Sequence, residues 1–120
     1  MRRRVLIVDD NRAFRAAARQ LLERGGFLVV AEAGNGVEGL RAAKEHTADL
    51  AIVDVQLPDL DGFELAERLV ALESAPLVIL TSSLDGADFG ALVASSSALG
   101  FIPKADLSIP AIEALLAPTL

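Results

Sequence analysis

LAIVDVQLPDLDGFEL, residues 50–65, is the stretch whose reading decides the fold. It opens on four apolar residues with no alternation and stops at Asp54, with Leu57-Pro58 and Asp61-Gly62 just behind. A short apolar run without a polar face reads as a strand covered on both sides, as in a parallel sheet. Proline limits φ and glycine permits a tight approach, so Pro58 and Gly62 mark a shaped loop before the next helix. A buried strand that ends on a carboxylate fixes where that carboxylate stands.

The same rhythm runs through the chain. Residues 5–8 form an apolar run, followed by a helical pattern over Arg12–Arg24 with Phe14, Ala17, Ala18, Leu21 and Leu22 on one face. Gly25-Gly26 stops it, because glycine tolerates the left-handed conformation of a helix end. A second strand is expected over residues 27–31. Asn35, with Glu38 three residues on, is a capping box for a helix running to about Glu45. After the strand Leu50–Asp54 come a helix at 63–72, a strand at 77–80, a helix within 86–98 and a strand at 101–103. The last helix is Ile109–Leu116, with Pro110 in its first turn and Pro118 beyond it. Gly86, Gly90 and Ser95-Ser96-Ser97 are poor helix formers, so the fourth helix is expected to be short.

Five βα units predict a flavodoxin-like, doubly wound α/β domain over residues 1–120. Its five-stranded parallel sheet would have the order 2-1-3-4-5 and carry five helices. Pro103 has no N–H to give, which requires its strand to lie at an edge; that order supplies one.

Composition narrows the function. With no cysteine there is no disulfide framework, thiolate metal site or cysteine nucleophile. A net charge of −6 argues against non-specific nucleic-acid contact. Arg2 to Arg4 read as a solvated start, and the four apolar residues after them are too few for a signal peptide or a membrane span. The expectation is a soluble, cytoplasmic domain. His46, the one histidine, lies near a helix end and cannot by itself support a Ser-His-Asp triad.

The strand ends carry the chemistry. The first ends in Asp9-Asp10, the third in Asp54, the fourth in Thr81, and the fifth in Lys104. In an open parallel sheet these ends share one edge, and ligands bind there where strand order reverses. Each residue alone is unremarkable as a turn, cap or solvated side chain; together they converge. Crowded carboxylates repel, and a hard divalent cation such as Mg²⁺ removes the conflict. A lysine and a hydroxyl beside them complete a cradle for phosphoryl transfer. A carboxylate can itself be the nucleophile, and Asp54, alone on its strand end, is the candidate.

VLIVDDN at the first strand, DVQLPDLDGFEL after the third, LTSS after the fourth and GFIPK at the fifth resemble the receiver domain of two-component response regulators. The resemblance spans essentially the whole chain. It implies that Asp54 accepts a phosphoryl group from the phosphohistidine of a sensor histidine kinase. Asp9, Asp10, Asp54 and the backbone carbonyl of Gln56 would hold Mg²⁺, and Thr81 and Lys104 would contact the phosphoryl group. Thr81 and Phe101 would be the switch pair. The face of helix 4, strand 5 and helix 5 would change its contacts with an effector or a second copy. Ala105 after the lysine and the N-terminal half lean towards receivers attached to helix-turn-helix transcription factors, although no DNA-binding segment follows. Such a domain is a switch that assists its own phosphorylation rather than an enzyme. Two rivals differ in class. An aspartate-nucleophile phosphatase wants a second aspartate where Gln56 stands. A degenerate receiver would act as an unphosphorylated docking module.

Overall fold

The computed structural model describes residues 3–83 and 89–119. Five parallel strands, β1 (Arg4–Val8), β2 (Leu28–Ala33), β3 (Leu50–Asp54), β4 (Leu77–Ser82) and β5 (Gly100–Pro103), form one sheet in the order β2-β1-β3-β4-β5. The helices are α1 (Arg12–Arg24), α2 (Gly36–Glu45), α3 (Gly62–Val70), α4 (Gly90–Ser95) and α5 (Ile109–Leu116). Among the described residues no helix is long and apolar enough to cross a membrane.

Successive side chains of a strand point to opposite faces, so the unbroken apolar runs are divided between two cores. Val5, Ile7, Leu50, Ile52 and Ile79 pack against Ala18 and Leu22 of α1 and Ile112 and Leu116 of α5. Leu6, Val8, Ala51, Val53 and Leu80 pack against Ala43 of α2 and Leu65, Ala66 and Leu69 of α3. All five residues of β3 are buried, which is why its sequence shows no polar face. On α1, Ala18 and Leu22 are buried and Phe14 and Leu21 half-buried, whereas Ala17 is exposed. The apolar stripe of α1 is therefore narrower than its sequence spacing suggests.

The capping box read at Asn35 forms, and Asp61 and Ser108 cap α3 and α5 in the same way. Asn35 Oδ1 accepts the Glu38 N–H at 2.8 Å, Asp61 accepts the Glu64 N–H at 2.8 Å, and Ser108 accepts the Ala111 N–H at 3.1 Å. Gly26, at φ 89°, takes the left-handed step after α1, and His46 is the exposed C-cap of α2. Pro103 lies on the edge strand.

Several boundaries differ from the sequence reading: α3 spans Gly62–Val70 rather than 63–72, and β4 runs on to Ser82 rather than stopping at residue 80. Phe27 is a buried plug whose N–H is donated to the Leu22 carbonyl at 3.0 Å, and β2 runs on to Ala33 because it pairs with Val8. Arg4 is not merely solvated: it opens β1, and its side chain donates to the Thr47 carbonyl at 2.6 Å. The fourth helix is indeed short in its described part, at six residues, while Gly86 lies outside the described residues. Ser95 and Ser96 end it by turning their hydroxyls back onto the Leu92 and Val93 carbonyls at 3.2 and 2.9 Å.

Two glycines make opposite demands. A Cβ on Gly62 would strike the Asp54 carbonyl oxygen and stand 2.7 Å from Val55 Cα, both backbone and unable to yield. A Cβ on Gly90 would meet nothing within 4 Å. We expect Gly62→Ala to destabilise the fold by about 3 kcal/mol through this overlap. Gly90→Ala should stabilise it by about 0.5 kcal/mol by restricting the unfolded chain. Guanidinium unfolding of the two variants checks both signs.

Candidate functional site

Strand register builds the site. Val8 pairs with Val53, so Asp9 and Asp54 emerge one residue later on neighbouring strands. Asp54 is itself level with Thr81 across β3 and β4. Ser82 is level with Pro103, so Lys104 leaves β5 at the same edge. The edge is the carboxyl end of the sheet, at the point where the chain order reverses between β1 and β3.

Asp9 is fully buried and Asp54 is 5 % exposed, while Asp10 is exposed at the rim. Lys104 Nζ stands 2.7 Å from Asp9 Oδ2 and 3.2 Å from Asp54 Oδ2. The contact with Asp9 is an ion pair, so Asp9 Oδ2 is compensated in charge by the Lys104 ammonium. The other oxygens are engaged by backbone. Asp9 Oδ1 accepts the Asn11 N–H at 2.8 Å, and Asp54 Oδ1 accepts the Gln56 N–H at 3.0 Å. Asn11 in turn caps α1 by accepting the Phe14 N–H. Lys104 Nζ also lies 4.4 Å from the centroid of the Phe14 ring, whose face attracts the cation.

Electrostatics follow from two carboxylates sharing one ammonium. Burial pushes the Asp54 carboxyl above its ordinary 3.8; the Gln56 N–H opposes this, the charge of Asp9 adds to it, and Lys104 opposes it. Burial would lower Lys104, but its contact with Asp9 and the charges of Asp54 and Asp9 raise it above its ordinary 10.5. The two shifts pull differently on one ion pair. The lysine is held as a cation by two anions, whereas Asp54 has only a share of that lysine and a like charge beside it.

Asp9, Asp10 and Asp54 each bring a carboxylate oxygen within 4.8 Å of the others. All three donors are hard oxygens, Asp9 Oδ2 is buried without a hydrogen bond, and one ammonium leaves the cluster negative. This acidic pocket fits a hard divalent cation. Thr81 is fully buried and its hydroxyl has no hydrogen-bond partner. A buried hydroxyl without a partner is costly and stands ready for one.

The residues singled out in the sequence fall into two groups. Asp9, Asp10, Asp54, Thr81 and Lys104 meet at one edge, with Gln56 bordering them through its backbone. Phe101 is half-buried on the α3 side of the sheet, its ring centroid 5.9 Å from that of Phe89, which is 6.0 Å from that of Phe63. Sequence reasoning missed two residues. Phe14 has the spacing of a core residue, and only the approach of Lys104 gives it a second role. Asp59 binds the start of α2, accepting the Gly36 and Val37 N–H groups at 2.8 and 2.9 Å, and no local signal links positions so far apart in sequence. Those bonds and one from the Leu60 N–H hold its carboxyl below the ordinary range.

A family model described as the response regulator receiver domain matches residues 5–114. A transcriptional regulator of Pseudomonas aeruginosa is 42 % identical over 101 residues, covering 84 % of this chain and 49 % of that protein. The virulence-factor transcription regulator BvgA of Bordetella pertussis is 36 % identical over 104 residues, covering 87 % of this chain and 50 % of its own length. The chain thus spans about half the length of these curated relatives. The crystal structure of a LuxR-family two-component response regulator from Aurantimonas superposes with a TM-score of 0.86 at 31 % identity, over 98 % of this chain and 87 % of that one.

Asp54→Asn removes a buried charge that the metal-free site holds poorly. We expect it to raise the melting temperature at pH 7 without divalent cations. The sign reverses the usual carboxylate case. The folded state holds the Asp54 proton more tightly, so the wild type gains stability as pH falls from its raised value towards 3.8. The gap between the two proteins should therefore narrow over that window. Calorimetry at several pH values reads both trends; a lower melting temperature for the variant at pH 7 would contradict them.

Proposed function

The chain belongs to the family of response regulator receiver domains, and we propose that it works as a phosphoacceptor switch with Asp54 as the acceptor. A carboxylate oxygen of Asp54 attacks the phosphorus of a phosphohistidine on a sensor histidine kinase. The P–N bond breaks as the P–O bond forms, and the imidazole leaves, regaining a proton from solvent. The domain assists this transfer and the later hydrolysis of its own acyl phosphate; it is not an enzyme acting on a separate substrate.

Each residue contributes by position and charge. Asp9, Asp10, Asp54 and the Gln56 carbonyl would hold Mg²⁺, which when bound offsets the charge gathered on the phosphoryl oxygens. The Lys104 ammonium, already 3.2 Å from Asp54, passes to a phosphoryl oxygen. The buried Thr81 hydroxyl donates to another. Such preorganised donors act strongly because Asp54 and Thr81 are buried. Closing Thr81 onto the phosphoryl group favours one of two arrangements of the β4 end. Phe101 packs on Phe89 at the start of α4, so its turning inward would exchange that contact and alter the α4–β5–α5 face. An effector or a second copy would read this face.

The observation that carries the reading is the Thr81 hydroxyl, fully buried and without a partner, on the residue level with Asp54. Its neighbours are two carboxylates sharing one lysine, a charge pattern that suits the arrival of both a cation and an anion. The output is proposed to be transcriptional control, since relatives about twice as long are described as transcription regulators. The kinase reaction implies a cytoplasmic setting.

Intact mass after incubation with acetyl phosphate tests the reading. We expect one phosphoryl adduct on the wild type that requires Mg²⁺ and is absent from Asp54→Asn. Lys104→Ala should form it about 10²-fold more slowly. An adduct that persists in Asp54→Asn would move the acceptor elsewhere, and no adduct even with a matched kinase would favour an unphosphorylated docking module.

A further inference from the structure

A second feature lies away from the acidic edge. α2 and α3 are separated by an open groove of about 300 Å³. Its floor is apolar, with half-buried Leu40 and Leu60 over the fully buried Leu65, and Val37 stands 53 % exposed at its lip. The α2 bank is basic, with Arg41 and Lys44, and Arg68 lines the α3 bank. Arg68 is partly engaged by Glu64 at 2.9 Å, whereas Arg41 and Lys44 have no ion pair among the described residues. In a chain of net charge −6, a groove with cations on both banks is a local inversion of sign.

The groove is also a built shape. A Cβ on Gly36 would stand 2.6 Å from Leu60 Cγ, so glycine lets Leu60 close one end. Asp59 fixes that end by binding the first two amides of α2. The wall is therefore pinned at its backbone, and its width does not depend on side-chain chance.

We propose that the α2–α3 groove is a docking site for an acidic amphipathic helix of a partner protein. From Gly36 to Lys44 the α2 bank rises about 12 Å, enough for roughly two turns of a helix laid alongside. Apolar side chains at helical spacing would sit on Leu40, Leu60 and Val37, as in helix-in-groove recognition. Carboxylates flanking that stripe would meet Arg41 and Lys44 on one side and Arg68 on the other. Charge complementarity picks this occupant: a basic or neutral helix gains nothing from the banks. The proposal does not depend on phosphorylation of Asp54.

The test is a titration of the 120-residue, ¹⁵N-labelled chain with a capped helical peptide. The probe carries leucines on one stripe and glutamates beside it; a twin peptide carries lysines instead of the glutamates. The expected result is shifts centred on the Val37, Leu40, Arg41 and Leu60 amides with the acidic peptide only, weakening as salt rises. Arg41→Glu with Lys44→Glu, and separately Val37→Asp, should each weaken binding at least 10-fold, while Arg24→Glu on α1 leaves it unchanged. All these positions are exposed, so the variants should keep the wild-type spectrum elsewhere. Equal binding of the lysine peptide, no shift at these amides, or shifts centred on Phe63 and Leu92 would each overturn the proposal. So would concentration-dependent shifts at the groove without peptide, which would mean that a second copy already fills it.

Discussion

Two carboxylates, on Asp9 and Asp54, are held out of water at the ends of neighbouring strands, with one lysine ammonium between them. Removing charge from water is expensive, and one cation cannot fully repay two anions. Much of the molecule can be read as the means of sustaining that arrangement. Backbone N–H groups of Asn11 and Gln56 take one oxygen of each carboxylate. The sheet register prevents the two from drifting apart, because Val8 and Val53 are locked as partners one residue earlier. The ring of Phe14 covers the lysine from the α1 side. What remains unsatisfied, Asp9 Oδ2 and the Thr81 hydroxyl, sits where additional ligands would gain most.

The same constraint reaches beyond the edge through the segment after Asp54. Gly62 must lack a side chain because the chain folds back onto the Asp54 carbonyl, and the Gly62 N–H is donated to the Val55 carbonyl at 2.8 Å. Asp59, midway along this segment, ties it to the first turn of α2. The segment from Asp54 to Gly62 thus joins the acidic edge to the first turn of α2. On the α4 side the packing is looser. Phe101, Phe89 and Phe63 touch ring to ring at about 6 Å, and α4 has only six residues and no buried one. A helix with so little burial is inexpensive to rearrange. The Ser97 N–H and hydroxyl on the Glu67 carboxylate, at 2.7 and 2.9 Å, are what fasten the far end of α4 to α3.

Much of this was legible in the chain. Unalternating runs such as residues 50–53 called for strands covered on both faces, and each is split between the two cores. Asn35 and Gly26 acted as local punctuation because capping and positive φ depend on neighbours only. Asp9, Asp10, Asp54, Thr81 and Lys104 could be gathered in advance because strand ends share an edge once the sheet is parallel. The misreadings were of another kind. Ala17 is exposed and Arg4 is tied to Thr47, since the width of a buried stripe and the fate of a terminus depend on what packs against them.

By itself, then, the sequence determined the strands, the helix caps and the cluster at the sheet edge. These follow from side-chain period, backbone preference and a topology rule that acts on any βα repeat. Tertiary structure alone decided which charge balances which: that Lys104 lies nearer Asp9 than Asp54, that Thr81 is left without a partner, that Asp59 clamps α2, and that Arg41, Lys44 and Arg68 face one apolar groove. Those contacts join residues from 22 to about 95 positions apart, and their energies change steeply over fractions of an ångström. No periodicity encodes such distances; they exist only once the elements have packed.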